Sequence, residues 1–284
     1  MRDINDITVR MAGRSDRLAI CALLQQAWHS AGGARWDQLD ALEADCAGVV
    51  AYRGTQPIGA ALFDLRTPPV SRLSAVAVAD QEPVGATWGL LWQTAEYHLR
   101  TCGHQSAYYI GEAPWLLEIL REQEFRQTNT VVSYEKLQDT PLVAGNPSVR
   151  VRPLRTTDLD AVAELDAASF PVLWRYPRPM LEAALQPLAR LTVAELDRRL
   201  VGYQLSTQEG REGQIVRLAV LPQYRRQGIG SRLLADSLDT LRRGRVRRVT
   251  LNTQADNLPA QKLYERFGFE ATGEELPVFE KALR

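Results

Sequence analysis

The stretch VLPQYRRQGIGS, Val220 to Ser231, decides how this chain is read. An apolar strand-like run, QIVRLAV, ends at Val220, and a Pro-containing turn leads into the paired arginines Arg225 and Arg226. Gly228 and Gly230 then open a segment with Ile229, Leu233, Leu234, Leu238 and Leu241 at helical spacing. Glycine has no Cβ, so the backbone there can adopt conformations other residues avoid and can approach a ligand closely. The helix that follows aims unpaired N–H groups and the positive end of its dipole at the same spot. Strand, glycine turn and helix in this order make a cradle for an anion such as a pyrophosphate.

Working outward from the cradle, the order of elements in residues 149–284 is legible. Residues 149–153 form a strand, Asp158–Ala168 a helix, and PVLWRYPRP (171–179) a loop, because its prolines cannot sit inside a helix. A helix around 180–188 follows, then a hairpin at 191–205 and a strand at 214–220. After the cradle helix, RVRRVTLNT (245–253) is a strand. Asn257 can cap a helix carrying Ala260, Leu263, Tyr264 and Phe267, with Pro259 in its first turn and Gly268 as its stop. PVFEKAL (277–283) closes the segment as one or two strands. The result is a mixed α/β sheet with helices on both faces.

The same plan occurs earlier in the chain. ITVRMAGRSDRLAICALLQQAW (7–28) parallels VRVRPLRTTDLDAVAELDAASF (149–170), and AYRGTQPIGAAL (51–62) parallels AELDRRLVGYQL (194–205). LREQEF (120–125) parallels YERFGF (264–269). Offsets of 142 to 144 residues across the whole half indicate an internal duplication. DTPLVAGNPS (139–148) holds Pro, Gly and Asn and reads as a linker, giving domains at 1–140 and 149–284 joined through 141–148.

With these elements in order, residues 149–284 resemble the GNAT superfamily of acetyl-CoA-dependent N-acetyltransferases. The family's pyrophosphate signature, Gln/Arg-x-x-Gly-x-Gly/Ala, is met by Arg225, Gly228 and Gly230. Its second signature is met about 30 residues later by Asn257, Ala260, Tyr264, Gly268 and Phe269. The resemblance implies an α/β fold of two tandem GNAT-like domains, each a mixed, mostly antiparallel sheet flanked by helices, with acetyl-CoA as co-substrate and no metal.

It also implies roles. Backbone N–H groups of Arg225, Arg226, Gln227, Gly228, Ile229, Gly230 and Ser231 would hold the pyrophosphate, with the two arginines lending charge. The edge of Leu218, Ala219 and Val220 would pair with the pantetheine amides, as an added strand does. Asn257 and Ala260 would lie along the pantetheine arm, and Tyr264 would protonate the leaving thiolate. Direct transfer needs no covalent nucleophile, and this half contains neither Cys nor His. Strand N–H groups near Leu218 to Val220 could stabilise a developing oxyanion.

One part of the family pattern is missing. Members that acetylate protein N-termini often carry a Glu base twelve residues before the Tyr; here that position is Asn252. A water relay or a carboxylate such as Asp166 are the open alternatives for the base. This favours a small-molecule amine as acceptor over a peptide N-terminus or a lysine. A non-catalytic CoA or acyl-CoA sensor is the competing reading. The acceptor side would be formed by Phe170, Trp174, Arg175 and Tyr176 of the Pro-rich loop with Asn252 and Thr253, although these aromatics could equally serve packing.

In the first half the cradle maps to QEPVGA (81–86), where Val84 stands for the first glycine, and Tyr264 maps to Leu120. The fold signal survives and the chemistry does not, so this half is expected to serve packing, to close the acceptor cleft, or to take a different ligand. Five of the six tryptophans lie there: Trp28, Trp36, Trp88, Trp92 and Trp115.

Composition sets the remaining bounds. At 284 residues there is room for two cores, and no run of about 18 apolar residues suggests a membrane span. The charged start, MRDINDITVR, lacks an apolar signal region and points to the cytoplasm. Cys21, Cys46 and Cys102 have no metal spacing and read as reduced thiols. Net charge is zero, but residues 1–145 hold 12 Lys and Arg against 17 Asp and Glu, while the remainder holds 22 against 17. That asymmetry would steer an anionic ligand to the second half. The basic run RRGRVRR (242–248) raises nucleic acid as a partner, but the stacking aromatics of such modules are absent and a solvated helix end is the plainer reading.

Overall fold

The computed structural model describes residues 6–32, 46–137 and 143–283. Trp36 and linker residues 139–142 lie outside them. The chain divides into two compact units, Met1–Thr128 with Leu276–Arg284, and Asn129–Glu275. The boundary expected at 140–149 therefore falls inside the second unit.

The first unit contains β1 (Ile7–Met11), α1 (Arg17–Gln26), β2 (His29–Gly32), β3 (Cys46–Arg53), β4 (Gln56–Asp64), β5 (Val70–Val78), α2 (Val84–Thr101), β6 (Ser106–Ile110) and α3 (Pro114–Glu122). Strand β7 (Arg126–Leu137) leaves it for the second unit. There follow β8 (Arg150–Pro153), α4 (Leu159–Ser169), α5 (Arg178–Ala183), β9 (Ala189–Leu196), β10 (Arg199–Glu209), β11 (Glu212–Val220), α6 (Ile229–Arg243), β12 (Arg248–Gln254), α7 (Leu258–Arg266) and β13 (Glu270–Ala282).

The terminal strands explain the division. In the second unit β7 runs antiparallel to β12, from Arg248↔Leu137 to Gln254↔Val131. The end of β13, Val278 to Ala282, returns to pair with β6 of the first unit. PVFEKAL was expected to close the sheet of its own half. Val278 and Phe279 are both buried there, and an apolar strand sequence says that it enters a sheet without naming its neighbour, so local pattern could not say which edge it joins.

The duplication is visible in matched contacts. Asp16 accepts hydrogen bonds from Arg10 Nη1 at 2.7 Å and from the Gly13 N–H at 2.8 Å. Asp158, 142 residues later, accepts them from Arg152 Nη1 at 2.7 Å and the Arg155 N–H at 2.8 Å. Glu124 keeps φ +63°, matching Gly268 at +76°, so the left-handed turn after each last helix survives even where the glycine does not.

In the second unit the sheet is covered on both faces. Leu234, Leu238 and Leu241 of α6 pack with Ile215, Val249, Leu251, Phe267 and Phe269. On the other face Leu159, Val162 and Leu165 of α4 pack with Val193, Tyr203 and Ala219. Each such leucine, fully buried, contributes about 1.5–3 kcal/mol of transfer free energy. A Cβ on Gly202 would stand 2.7 Å from the Ala219 carbonyl and 3.1 Å from Leu233, so this glycine lets α6 sit tight on the sheet. Local boundaries differ from expectation in two places. The segment 171–179 includes a short helical turn, Val172–Trp174, and the following helix begins at Arg178 and ends at Ala183. Pro179 in its first turn starts the helix rather than breaking it.

Candidate active site

The site begins with an irregularity in β11. Opposite β10, Leu205 pairs with Arg217 and Ser206 with Ile215, leaving Val216 as an extra residue. Such a bulge bends and twists its strand. The parallel ladder to β12 runs from Glu212↔Arg248 to Ile215↔Leu251 and stops there, although the strands continue to Val220 and Gln254. From Val216 to Val220, then, β11 has no strand partner on the β12 side among the described residues. An edge of N–H and C=O groups left free in this way can take up an added extended strand. Leu218, Ala219 and Val220 all lie on this edge.

At the end of the edge stands the glycine turn. Arg226 has φ +62° and Gly228, the N-cap of α6, has φ +75°. Left-handed residues interspersed in a turn direct successive N–H groups into one concavity, an anion nest. The first turn of α6 contains no acidic residue. A Cβ on Gly230 would meet nothing closer than 3.4 Å, so the chain's own packing does not require glycine there. Arg225 is tied back, its Nε to the Val220 carbonyl at 3.3 Å and its Nη2 to the Ser169 carbonyl at 3.0 Å. It braces the end of β11 while still adding charge. Ile229 and Ser231 are buried in the helix seat, and Gln227 is exposed.

Tyr264 projects from α7 into the core between Tyr134 and Phe269, with ring centroids at 6.2 and 6.0 Å. It is only 7% exposed, and burial pushes its phenol up to about 12. Asn257 occupies the N-cap of α7, but its side chain makes no capping bond; Nδ2 donates instead to Thr253 Oγ1 at 3.2 Å. The expected capping role is thus corrected, and the side chain links α7 to the end of β12. Ala260 is partly buried against the same core. Asn252 is exposed on β12, opposite Ser133.

The Pro-rich loop is organised around a residue that sequence reasoning passed over. Arg217 Nε donates to Asp166 Oδ2 at 2.7 Å and to the Tyr203 hydroxyl at 3.1 Å, and Nη2 donates to the Trp174 carbonyl at 2.5 Å. Phe170 and Tyr176 sandwich its guanidinium, with ring centroids 3.7 and 4.1 Å from Cζ. Asp166 also accepts from the Tyr203 hydroxyl and, at 2.7 Å, from the Tyr176 N–H. Burial and the neighbouring carboxylate push the Tyr203 phenol well above its usual range. Asp166 is fully buried and its oxygens are committed to these donors, which removes it as a candidate base. The signal for Arg217 was a single charge inside QIVRLAV.

The first unit repeats the bulge, with Leu62↔Ala75 followed by Phe63↔Leu73 and Ser74 extra. Its parallel ladder to β6 likewise stops at Leu73↔Tyr109. The edge beyond is filled by the chain itself: β2 pairs antiparallel from His29↔Val78 to Gly32↔Ala75. At the end of β2, Gly32 has φ +76° and a Cβ there would stand 2.1 Å from the Ser74 carbonyl. Helix α2 starts after Pro83, so the helix N-cap sets Pro83 rather than Val84 opposite Gly228, and neither left-handed residue of the cradle has a counterpart. Leu120, at the position of Tyr264, is buried. Trp88 and Trp92 stack at 6.0 Å within this core, Trp115 meets His29 edge-on, and Trp28 is exposed.

Among the described residues no helix is long and apolar enough to cross a membrane. In the basic run, Arg242 and Arg243 pair with Asp239, and Arg248 with Glu135 and Glu212, which weakens its positive field.

The Acetyltransferase (GNAT) family profile matches residues 159–269. A Bacillus subtilis (strain 168) protein named as a ribosomal protein bS18-alanine N-acetyltransferase is 33% identical over 123 residues, covering 43% of this chain and 82% of that protein. A mycothiol acetyltransferase of Clavibacter michiganensis subsp. michiganensis is 38% identical over 95 residues, covering 34% of this chain but only 30% of that protein. Among solved structures, a tandem GNAT protein from the clavulanic acid biosynthesis pathway superposes with a TM-score of 0.66 at 16% identity, covering 98% of this chain and 99% of that one. The chain belongs to the acetyltransferase (GNAT) family, with the tandem fold, and is an acyltransferase.

Proposed function

We propose that the second unit transfers an acetyl group from acetyl-CoA directly to a primary amine of a small molecule. The observation that carries this is the unpaired β11 edge, Val216 to Val220, running into the left-handed turn at Arg226 and Gly228. Extended amides and an adjacent pyrophosphate are what that combination recognises. Acetyl-CoA would bring an activated thioester; the chain's own groups would do the rest. Backbone N–H groups of the turn and of the α6 N-terminus would hold the pyrophosphate, and the β11 edge would fix the arm. Holding both reactants in place supplies much of the acceleration. N–H groups near Leu218 to Val220 would stabilise charge developing on the acyl oxygen. Tyr264 holds a proton at its hydroxyl for the leaving sulfur. Its raised phenol is matched to that task, because the same desolvation raises a thiolate placed beside it. Water would carry the amine proton, since Asn252 is no base and Asp166 is committed. The first unit, its edge filled by β2, would bind no acyl-CoA.

A second reading, a peptide N-terminus as acceptor, has specific support: the Bacillus subtilis relative, matched over most of its length, bears the name of an alanine N-acetyltransferase of a ribosomal protein. Asn252 argues against it, standing where that reading wants a Glu. The test is acetyl-CoA-dependent release of free thiol against a panel of small amines and of alanine-terminated peptides. Turnover with small amines above peptides supports the proposal, and the reverse order supports the second reading. Binding of CoA with no thiol release from any acceptor would make the unit a CoA sensor and overturn both.

A further inference from the structure

Residues 145–148 do more than join segments. The Asn146 N–H donates to the Gly228 carbonyl at 3.2 Å, and its Nδ2 donates to the Gln227 carbonyl at 2.8 Å. Asn146 Oδ1 accepts from the Ser148 N–H at 2.9 Å, so the side chain is held in one orientation by a turn of its own. Gly145 lies so close to the first turn of α6 that a Cβ on it would stand 2.2 Å from the Arg232 nitrogen. A Cβ on Gly228 would meet Asn146 at 3.2 Å. The segment is fitted against the back of the glycine turn.

The consequence follows from peptide geometry. In a planar trans peptide the C=O of one residue and the N–H of the next point in opposite directions. The Gly228 carbonyl also accepts the Arg232 N–H of α6 at 3.0 Å, so the helix already sets the Ile229 N–H; the Asn146 side chain adds the Gln227 carbonyl, and fixing it on the Asn146 side fixes the Gly228 N–H on the other. Arg226, a non-glycine residue at φ +62° one position before Gln227, is costly to hold unless the surroundings determine the turn. We infer that Asn146 is a positioning residue that clamps the glycine turn from behind and sets the Gly228 N–H for a pyrophosphate. This rests on the acetyl-CoA reading given above. It adds a residue outside the Arg225–Gly230 signature, and one outside the span 159–269 matched by the family profile.

The experiment compares two donors in the full-length chain: acetyl-CoA, and acetyl-pantetheine, which lacks the pyrophosphate. Asn146→Ala is expected to lower kcat/KM for acetyl-CoA relative to acetyl-pantetheine by about tenfold, equivalent to about 1.4 kcal/mol. CoA affinity by calorimetry is expected to weaken by a similar factor. Asn146→Asp retains the bond to Ser148 but loses the amide donor. Assayed at high salt, where an exposed charge is screened, it should show the same donor ratio as Asn146→Ala. An unchanged ratio in Asn146→Ala, whether activity is kept or lost with both donors, overturns the inference, as does full recovery in Asn146→Asp. If the unsubstituted protein fails to bind CoA, the acetyl-CoA reading falls first and this inference with it.

Discussion

Arg217 and Asp166 form a buried ion pair, Nε to Oδ2 at 2.7 Å, with the two side chains 8% and 0% exposed. The pair joins the bulged strand β11 to α4, and through the Trp174 carbonyl and the Tyr176 N–H it holds the middle of the aromatic loop. Removing one member strands a buried charge without its counter-ion. Asp166→Ala is expected to destabilise the protein by about 3–5 kcal/mol. Arg217→Met should cost a similar amount, and the double variant less than the sum of the two. Urea unfolding of the three variants measures this; strictly additive costs would mean the pair is not coupled.

Tyr264→Phe removes the hydroxyl and keeps the ring between Tyr134 and Phe269. Its kcat is expected to fall about 10²-fold or more, within the range for loss of a general acid. CoA affinity should be unchanged, because the cradle and the β11 edge are untouched. Steady-state kinetics with calorimetry separate the two effects, and wild-type turnover in the variant would remove Tyr264 from the chemistry.

The pH profile follows from the same residue. Burial pushes the Tyr264 phenol up to about 12. An acid works in its protonated form, so this contribution is complete at neutral pH and is lost only as pH rises through that value. The acceptor amine must instead be neutral, so kcat/KM should climb with pH and level off. No falling limb is expected below about pH 10, well under the Tyr264 value. A descending limb centred near 8 to 9 would show that some other group supplies the proton.

These expectations rest on parts of the molecule that differ in how openly the sequence shows them. The turn at Gly228 and Gly230 and the helix that starts after Asn257 are legible because glycines beside an apolar strand and a Pro-containing first turn each leave a local mark, although the Asn257 side chain bonds Thr253 and caps nothing. The duplication is legible for the same reason, through matched pairs such as Phe125 and Phe269. The exchange of β7 and β13 is not, since a strand's alternation fixes its faces and not its neighbour. Val216 as a bulge depends on register with β10, and Asn146 on meeting a turn more than eighty residues away. Such relationships exist only after folding, and Gly145 and Asn146 carry the composition of any linker.

The two signature glycines should respond differently to alanine. Gly228 has φ +75° and its added Cβ would press on Asn146 at 3.2 Å. Gly228→Ala is expected to cost about 1–2 kcal/mol from the left-handed backbone alone. Gly230 stands in the first turn of α6, where a Cβ would make only ordinary contact with Leu263 at 3.4 Å and Val220 at 3.8 Å, so Gly230→Ala should be neutral or stabilising by up to about 1 kcal/mol. Thermal or urea unfolding decides the point. Equal destabilisation by both would show that Gly230 is held by the fold and not kept for a ligand.

The filled edge of the first unit makes a prediction about number. Strand β2 runs along β5 from Val78 to Ala75, the positions that correspond at an offset of 142 to Val220 through Arg217 on the open edge of β11. A backbone edge has one set of N–H and C=O groups on each side, and β4 already takes the other side of β5. An amide-bearing arm could enter there only by displacing β2, while the helix start at Pro83 offers no left-handed nest to repay the exchange. Calorimetric titration with CoA is therefore expected to give one site per chain. Gly228→Asp, which sets a carboxylate in the remaining cradle, should abolish binding altogether. A second equivalent of CoA, or a site surviving Gly228→Asp, would mean that the first unit opens its edge and binds as well.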